Sequence, residues 1–334
     1  MVHNLLQKLN DFVWFLLFLH LFLWHALVLA SPSNDGHEET LRIVFIKTYK
    51  TGSTSTAELI YQIANKLGLY MLHPEKHGKF EIEELEKLAS NGLTYDVSFR
   101  HFHPAPLDYS VLSQLFPSAT YVTIVRHPVQ RFFSMFKFDT GVNKQFRDNP
   151  QSLIDAFSQN KYWEKRKWFC NNQARILYSN EEDIDKRERT DPKGLAEDII
   201  QELESNNVIV LVQEYMAESI YYMAQQMGID LVKMGVKIPN SRKQSYNYDR
   251  SCQYNCVKKI EMCANVDMII FEHFYEKFES ILPELDAEGI QVLKKNANSG
   301  AKRSRQSGNP YAHNCIPNPK NRNEELQSCK GRPT

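Results

Sequence analysis

The sequence predicts an α/β fold in one large domain, with a mainly parallel central sheet flanked by helices. Three observations predict it. β-rich and helical stretches alternate along the chain. Two of the β-rich runs, Leu41–Ile46 and Thr120–Val125, pass through a short polar loop directly into a helix. The chain has 334 residues with 42% hydrophobic content, enough to bury a substantial single core, and no internal repeat is evident.

The first strand, 41–46, leads through 47–52 into a helix that runs to Leu67. A charged helix follows over Glu81–Ser90, then a strand near Tyr95–Phe102. Asp108 caps a helix that ends at Pro117. After the Thr120–Val125 strand, Pro128 suits the first turn of the next helix. Asn149-Pro150 and Asp191-Pro192 each read as an N-cap followed by proline at the first helical position. Between those two helices, Tyr162–Tyr178 mixes aromatic and basic residues and is expected to form an insertion that faces a second substrate. Val208–Val212 is a further buried strand, followed by a helix over Glu214–Met227. Asn240-Ser241-Arg242-Lys243 lies in a late loop, placed either to close over a bound ligand or to stay solvated. The tail from Ser299 is rich in Asn, Pro, Lys and Arg and is expected to be irregular unless a disulfide pins it.

Two segments carry chemistry. Lys47-Thr48-Tyr49-Lys50-Thr51-Gly52-Ser53-Thr54-Ser55 joins a strand to a helix N-terminus, where unpaired N–H groups and the positive end of the dipole favour an anion. Gly52 permits a tight turn, the hydroxyls add donors, and Lys50 adds a charge that can follow a phosphate oxygen. The chain contains no G-x-x-x-x-G-K-[ST], so this is not a Walker loop, and an ordinary capped helix after a strand is the plainer alternative. In the second segment, Arg126 ends a strand and Ser134 lies about two turns along the next helix. A guanidinium fork and a hydroxyl so spaced can grip one phosphate together.

Together these segments resemble the sulfotransferases that use 3′-phosphoadenosine 5′-phosphosulfate (PAPS). Phe45–Thr54 is similar to the galactose-3-O-sulfotransferase pattern F-x-K-T-x-K-T-[AG]-S-[ST]. Val210–Ser219 and Phe271–Phe274 are compatible with it, and the likeness extends over about residues 41–282. The resemblance implies a single P-loop-like sulfotransferase domain that takes PAPS as sulfuryl donor and requires no metal. Lys50, Thr51, Gly52, Ser53 and Thr54 would hold the 5′-phosphosulfate, and Arg126 with Ser134 the 3′-phosphate. The acceptor would be a galactose-containing glycolipid or glycoprotein glycan, with the 3-OH of a β-galactose leading.

Sulfuryl transfer to a hydroxyl requires a group that removes the hydroxyl proton and a cation beside the departing phosphate oxygen. Lys50 suits the second role. For the first, Arg100-His101-Phe102-His103 ends the second expected strand, at the sheet edge where open α/β folds bind ligands. Strand alternation turns His101 and His103 to the same side; His101 is favoured as the base, with His103 binding the acceptor or holding the base. Glu58 is a weaker alternative base. Glu214-Tyr215, at a strand end, is read as organising the fold rather than touching acceptor.

Other functions fit less well. Lys50–Ser55 and the paired histidines also resemble glycosaminoglycan 2-O-sulfotransferases, for which Lys161, Lys165, Arg166 and Lys167 would form a basic acceptor groove. A secreted glycan-binding protein without turnover is a third reading. A kinase is disfavoured by the missing Walker order and the lack of an obvious Mg²⁺-binding motif. The formal charge of zero provides no global field to recruit nucleic acid.

Phe12–Ala30 is an apolar run of about 19 residues, close to the ~20 that cross a membrane as a helix. One reading is a signal anchor, giving a single-pass type II membrane protein with a luminal catalytic domain, and the family resemblance implies that this anchor holds it in the Golgi. Val28-Leu29-Ala30 before Ser31 also fits a cleavage site, which would make the protein secreted. The expected organisation is therefore an anchor or signal peptide at 1–31, a short stem at 32–40, the sulfotransferase domain at 41–298 and a cysteine-containing tail at 299–334. Six cysteines suit an oxidising lumen, where all can pair in any of fifteen connectivities. Zinc is disfavoured, because no C-x-x-C pair or matching histidine set occurs. No N-x-[ST] sequon is present.

Overall fold

The computed structural model describes residues 41–74, 79–102, 108–146, 149–158, 162–238, 252 and 254–298. His103, Lys161, the loop at 240–243, the N-terminal apolar run, Cys315 and Cys329 lie outside the described residues.

The centre is a parallel sheet of four strands. β1 (Ile43–Ile46), β3 (Val97–Ser98), β5 (Thr120–Val125) and β6 (Ile209–Val212) lie in the order β3-β1-β5-β6. β2 (Lys79–Phe80) and β4 (His101–Phe102) form a separate parallel pair. Ile43 to Ile46 are all fully buried, so this short strand reads as a continuous apolar run, as expected of parallel strands covered on both faces. Alternate residues serve opposite cores. Val44 and Ile46 pack with α10 (Pro192–Ser205) and α13 (Asn265–Ile281), whose buried residues include Leu195, Ile199, Ile270 and Phe274. Ile43 and Phe45 pack with α1 (Ser53–Leu67) and α11 (Met216–Gln226), through Leu59, Ile63, Ile220 and Met223.

The remaining helices are α2 (Ile82–Ser90), α3 (Tyr109–Leu115), α4 (Pro128–Phe138), α5 (Thr140–Gln145), α6 (Pro150–Ser158), α7 (Trp163–Phe169), α8 (Asn172–Leu177), α9 (Glu181–Thr190), α12 (Tyr254–Cys263) and α14 (Ala287–Asn298). The expected caps are in place. Asp108 accepts from Ser110 N at 2.8 Å, Asn149 from Gln151 N at 3.0 Å, and Asp191 from Gly194 N at 3.0 Å.

Three local expectations are corrected. Tyr95–Phe102 is not one strand: Val97 and Ser98 pair with β1, whereas His101 and Phe102 pair with β2. Phe99, between them, is buried edge-on to Tyr61 and His73 at centroid distances of 5.9 and 5.8 Å, and the chain changes partner there. The expected helix at 214–227 begins as a 3-10 turn, Gln213–Tyr215, before α11.

The third concerns Tyr162–Tyr178, which folds as α7 and α8 and is tied into the domain by buried ion pairs, while its Trp168 and Gln173 reach the strand ends near Tyr49 and Arg126. Arg166 and Arg175 both reach the buried Glu188, at 2.9 and 2.6 Å, and Lys167 pairs with Asp185 at 2.9 Å. The start of α8 is held by Asp267 of α13, which is fully buried, accepts from Ala174 N at 2.7 Å and Gln173 N at 3.1 Å, and lies 3.7 Å from Arg131 Nε. Charges so deeply buried are tolerated because they are paired and hydrogen-bonded. Four cysteines pair as Cys170–Cys263 and Cys252–Cys256. No helix among the described residues is long and apolar enough to cross a membrane.

Candidate functional site

The order of the strands determines where a ligand can enter. From β1 the chain moves outward to β3, then crosses back to β5 on β1's other side. The switch point therefore lies between β1 and β5, beyond their C-terminal ends, where open α/β sheets form a crevice. The 47–52 loop leaves β1 there, and Arg126 leaves β5.

The loop is held from within. Thr48 Oγ1 donates to Ile124 O at 2.6 Å and lies 2.7 Å from Thr51 Oγ1, and Ser53 Oγ donates to Thr48 O at 2.5 Å. The Thr51 and Ser53 hydroxyls are thus buried and engaged in shaping the loop, whereas Thr54 is exposed on the first turn of α1. What the loop presents to the crevice is chiefly the N-terminal end of α1, with the peptide N–H groups and dipole of a 15-residue helix.

Gly52 and Lys50 both adopt left-handed backbone, at φ 84° and 63°. Gly52 is required on two counts: its backbone suits glycine, and a Cβ there would fall 2.4 Å from Met216 Cε and 3.1 Å from Gln213 Cγ. Gly52→Ala is expected to destabilise the fold by roughly 1–2 kcal/mol from the backbone alone. Urea unfolding read by circular dichroism measures this, and an unchanged midpoint would refute the assigned turn.

Arg126 is largely buried and braced on three sides. Its Nη1 donates to Lys50 O at 3.1 Å and its Nη2 to Gln130 Oε1 at 3.3 Å. Its own peptide is gripped by Gln173, which accepts from Arg126 N at 2.8 Å and donates to Arg126 O at 3.0 Å. The two expected phosphate sites are therefore in direct contact. Ser134 lies on α4, four residues after Gln130 and four before Phe138, so the three share one face. Gln130 holds Arg126, and the Lys50 ammonium lies 4.0 Å above the Phe138 ring, so Ser134 sits between the two cations' contacts on that face. Burial, with Arg126 nearby, lowers the Lys50 ammonium below its usual range. Lys47 is pushed further, to about 8, by burial and by Arg100.

His101 follows β3 on the opposite flank of the loop. Its Nδ1 lies 2.9 Å from Lys47 O, and its ring stacks on Tyr49 at 4.2 Å and 9°. Tyr49 in turn meets Trp168 edge-on at 5.2 Å. A carbonyl only accepts, so Nδ1 is the nitrogen that carries a proton in this contact.

Glu214 and Gln173 also bear on the site. Glu214 Oε1 accepts from His127 N at 3.0 Å, fixing the turn after Arg126, which agrees with the fold-organising role read for it. The Gln173 clamp lies within the stretch expected to face acceptor, and no local signal marks it. Among the described residues no three His, Cys, Asp or Glu gather to hold a metal ion.

Comparison with known proteins adds the family. The model for galactose-3-O-sulfotransferase matches residues 18–324. The chain is 26% identical to human galactose-3-O-sulfotransferase 3 over 236 residues, covering 64% of this chain and 51% of that protein. It is 25% identical to bovine galactosylceramide sulfotransferase over 288 residues, covering 80% of this chain and 64% of that one. The chain thus spans about half to two-thirds of the length of these relatives. Among solved structures, mouse sulfotransferase SULT7A1 complexed with PAP aligns over 78% of this chain and 90% of its own, at 16% identity and a TM-score of 0.32. A likeness that low bears no weight, and the fold rests on the strand order above.

Proposed function

We propose, from the premise that this chain belongs to the galactose-3-O-sulfotransferase family, that it binds PAPS at the β1–β5 switch point and transfers the sulfuryl group to a sugar hydroxyl. The leading acceptor is the 3-OH of a galactose on a glycolipid or glycoprotein glycan. The main support is the direct link between the two cationic segments, Arg126 Nη1 on Lys50 O at 3.1 Å, beside a helix N-terminus. Two cations and a row of N–H donors fit a ligand with phosphate at both ends.

When bound, PAPS supplies the sulfuryl group, and 3′,5′-ADP is the leaving group. In this reading the first turn of α1, with Thr51, Gly52, Ser53 and Thr54, holds the 5′ end, mainly through peptide N–H groups. Arg126 and Ser134 hold the 3′-phosphate. Lys50 brings its ammonium to the departing oxygen, and His101 Nε2 takes the hydroxyl proton. His103 stands as the alternative base or an acceptor-binding group. The division into 1–31, 32–40, 41–298 and 299–334, and residence as a type II protein with its domain in the Golgi lumen, are part of the same proposal. The two disulfides support an oxidising compartment.

The glycosaminoglycan alternative loses support, since three of its four groove cations are already paired: Lys165 with Asp139 at 3.2 Å, Arg166 with Glu188 and Lys167 with Asp185. An acceptor screen with labelled PAPS tests the reading. Transfer to β-galactosides that disappears with the 3-deoxy sugar is expected; transfer to desulfated heparan or dermatan alone, or binding without turnover, would overturn it.

A further inference from the structure

Phe138 is out of place for a side chain with only a packing role. It ends α4 with 66% of its surface exposed, yet the Lys50 ammonium lies 4.0 Å from its ring centroid. Lys50 reaches that position from left-handed backbone at φ 63°, an arrangement an L-residue keeps only when its surroundings hold it. The rest of α4 is oriented consistently. Val129, Phe132, Phe133, Met135 and Phe136 are buried, while Gln130, Ser134 and Phe138 share a less buried arc of about 80° at 100° per residue.

At one end of that arc Gln130 Oε1 accepts from Arg126 Nη2 at 3.3 Å, and at the other the Phe138 ring faces Lys50. We propose that this single face of α4 is the device that positions both cations of the donor site, with Phe138 as a positioning residue that holds the Lys50 ammonium by cation–π attraction. This rests on the sulfuryl-transfer reading of Lys50. A ring face attracts a cation without accepting a hydrogen bond, so it fixes the ammonium in place while leaving its N–H donors for an anionic oxygen. An aspartate in the same place would instead pair with the ammonium and compete with the phosphosulfate. The partial burial that lowers the Lys50 pKa strengthens the attraction, because cation–π contacts grow as the cation loses water.

Sulfuryl-transfer kinetics on the full chain test this with Phe138→Leu and Phe138→Tyr. Leucine retains apolar bulk without the π face, and tyrosine retains both. The exposed position makes either substitution compatible with the fold. Phe138→Leu is expected to lower kcat by about 2- to 5-fold, with acceptor KM unchanged, and Phe138→Tyr to retain kcat. Wild-type kcat in Phe138→Leu would overturn the proposal, as would a rise in acceptor KM at constant kcat, which would make Phe138 an acceptor contact. Lys50→Ala, run in parallel, separates the two claims: an active Lys50→Ala protein defeats the sulfuryl-transfer reading itself, whereas an inactive one beside a fully active Phe138→Leu defeats only the role of Phe138.

Discussion

Lys50→Ala is expected to lower sulfuryl transfer by about 10²–10³-fold in kcat, the range seen when one preorganised charge-stabilising donor is removed. Lys50 belongs to the turn that joins β1 to α1, its carbonyl is bonded by Arg126, and its ammonium is held over Phe138. In the proposed donor site its charge would serve the departing phosphate oxygen, where negative charge collects during transfer. Its main-chain role survives truncation, because alanine keeps the carbonyl that Arg126 needs, so the loss should appear in kcat more than in stability. The pH profile adds a second mark. Burial, with help from Arg126, lowers the Lys50 pKa below 10.5, and the ammonium is lost as pH rises through that lowered value. Activity should therefore fall on the alkaline side earlier than a free lysine would allow, and this limb should be absent from the residual activity of Lys50→Ala. Unimpaired transfer by folded Lys50→Ala protein would contradict the assignment.

The second large effect is expected at His101. Its Nδ1–H donates to Lys47 O, and the stack on Tyr49 fixes the plane of the ring. A histidine whose ring plane and proton-bearing nitrogen are fixed by two contacts is suited to general-base work, worth typically about 10²–10⁴-fold. His101→Asn is the informative substitution, since its amide can still donate to Lys47 O but cannot take up a proton. Transfer should fall by that factor while nucleotide binding persists. His103→Ala is the comparison. If His103→Ala abolishes transfer and His101→Asn does not, the base lies two residues further on.

Much of this arrangement is legible in the chain because it is local. β1, α1, β5 and α4 follow from apolar runs, one obligate glycine and one proline at a helix start. The two anion-binding segments lie at the junctions between those elements, so finding the elements also finds Lys50, Gly52 and Arg126. The supporting contacts are not local. Gln173 clamps Arg126 from 47 residues away and is itself fixed by Asp267 a further 94 residues on. No periodicity or spacing encodes such a relay, and its aromatic and basic surroundings suggest a surface where the fold has built ion pairs. The run at 95–102 shows a related limit. Its composition is uniformly strand-like, but which neighbour each half pairs with depends on β2, whose two residues carry no strand signal of their own. The Thr51 and Ser53 hydroxyls show a third. Residue type suggests donors to a ligand, and only the folded loop shows them turned inward onto Thr48.

The central claim is that the β1–β5 crevice reads a nucleotide with phosphate at both its 5′ and 3′ positions. Calorimetric titration of the purified chain with 3′,5′-ADP and with 5′-AMP tests it most directly. Hydrogen bonds to charged groups contribute about 1.5–3 kcal/mol, so the 3′-phosphate is expected to tighten binding by roughly 10- to 100-fold. That advantage should vanish in Arg126→Ala while 5′-AMP binding remains. Equal affinity for the two nucleotides, or no binding of either by folded protein, would contradict the account.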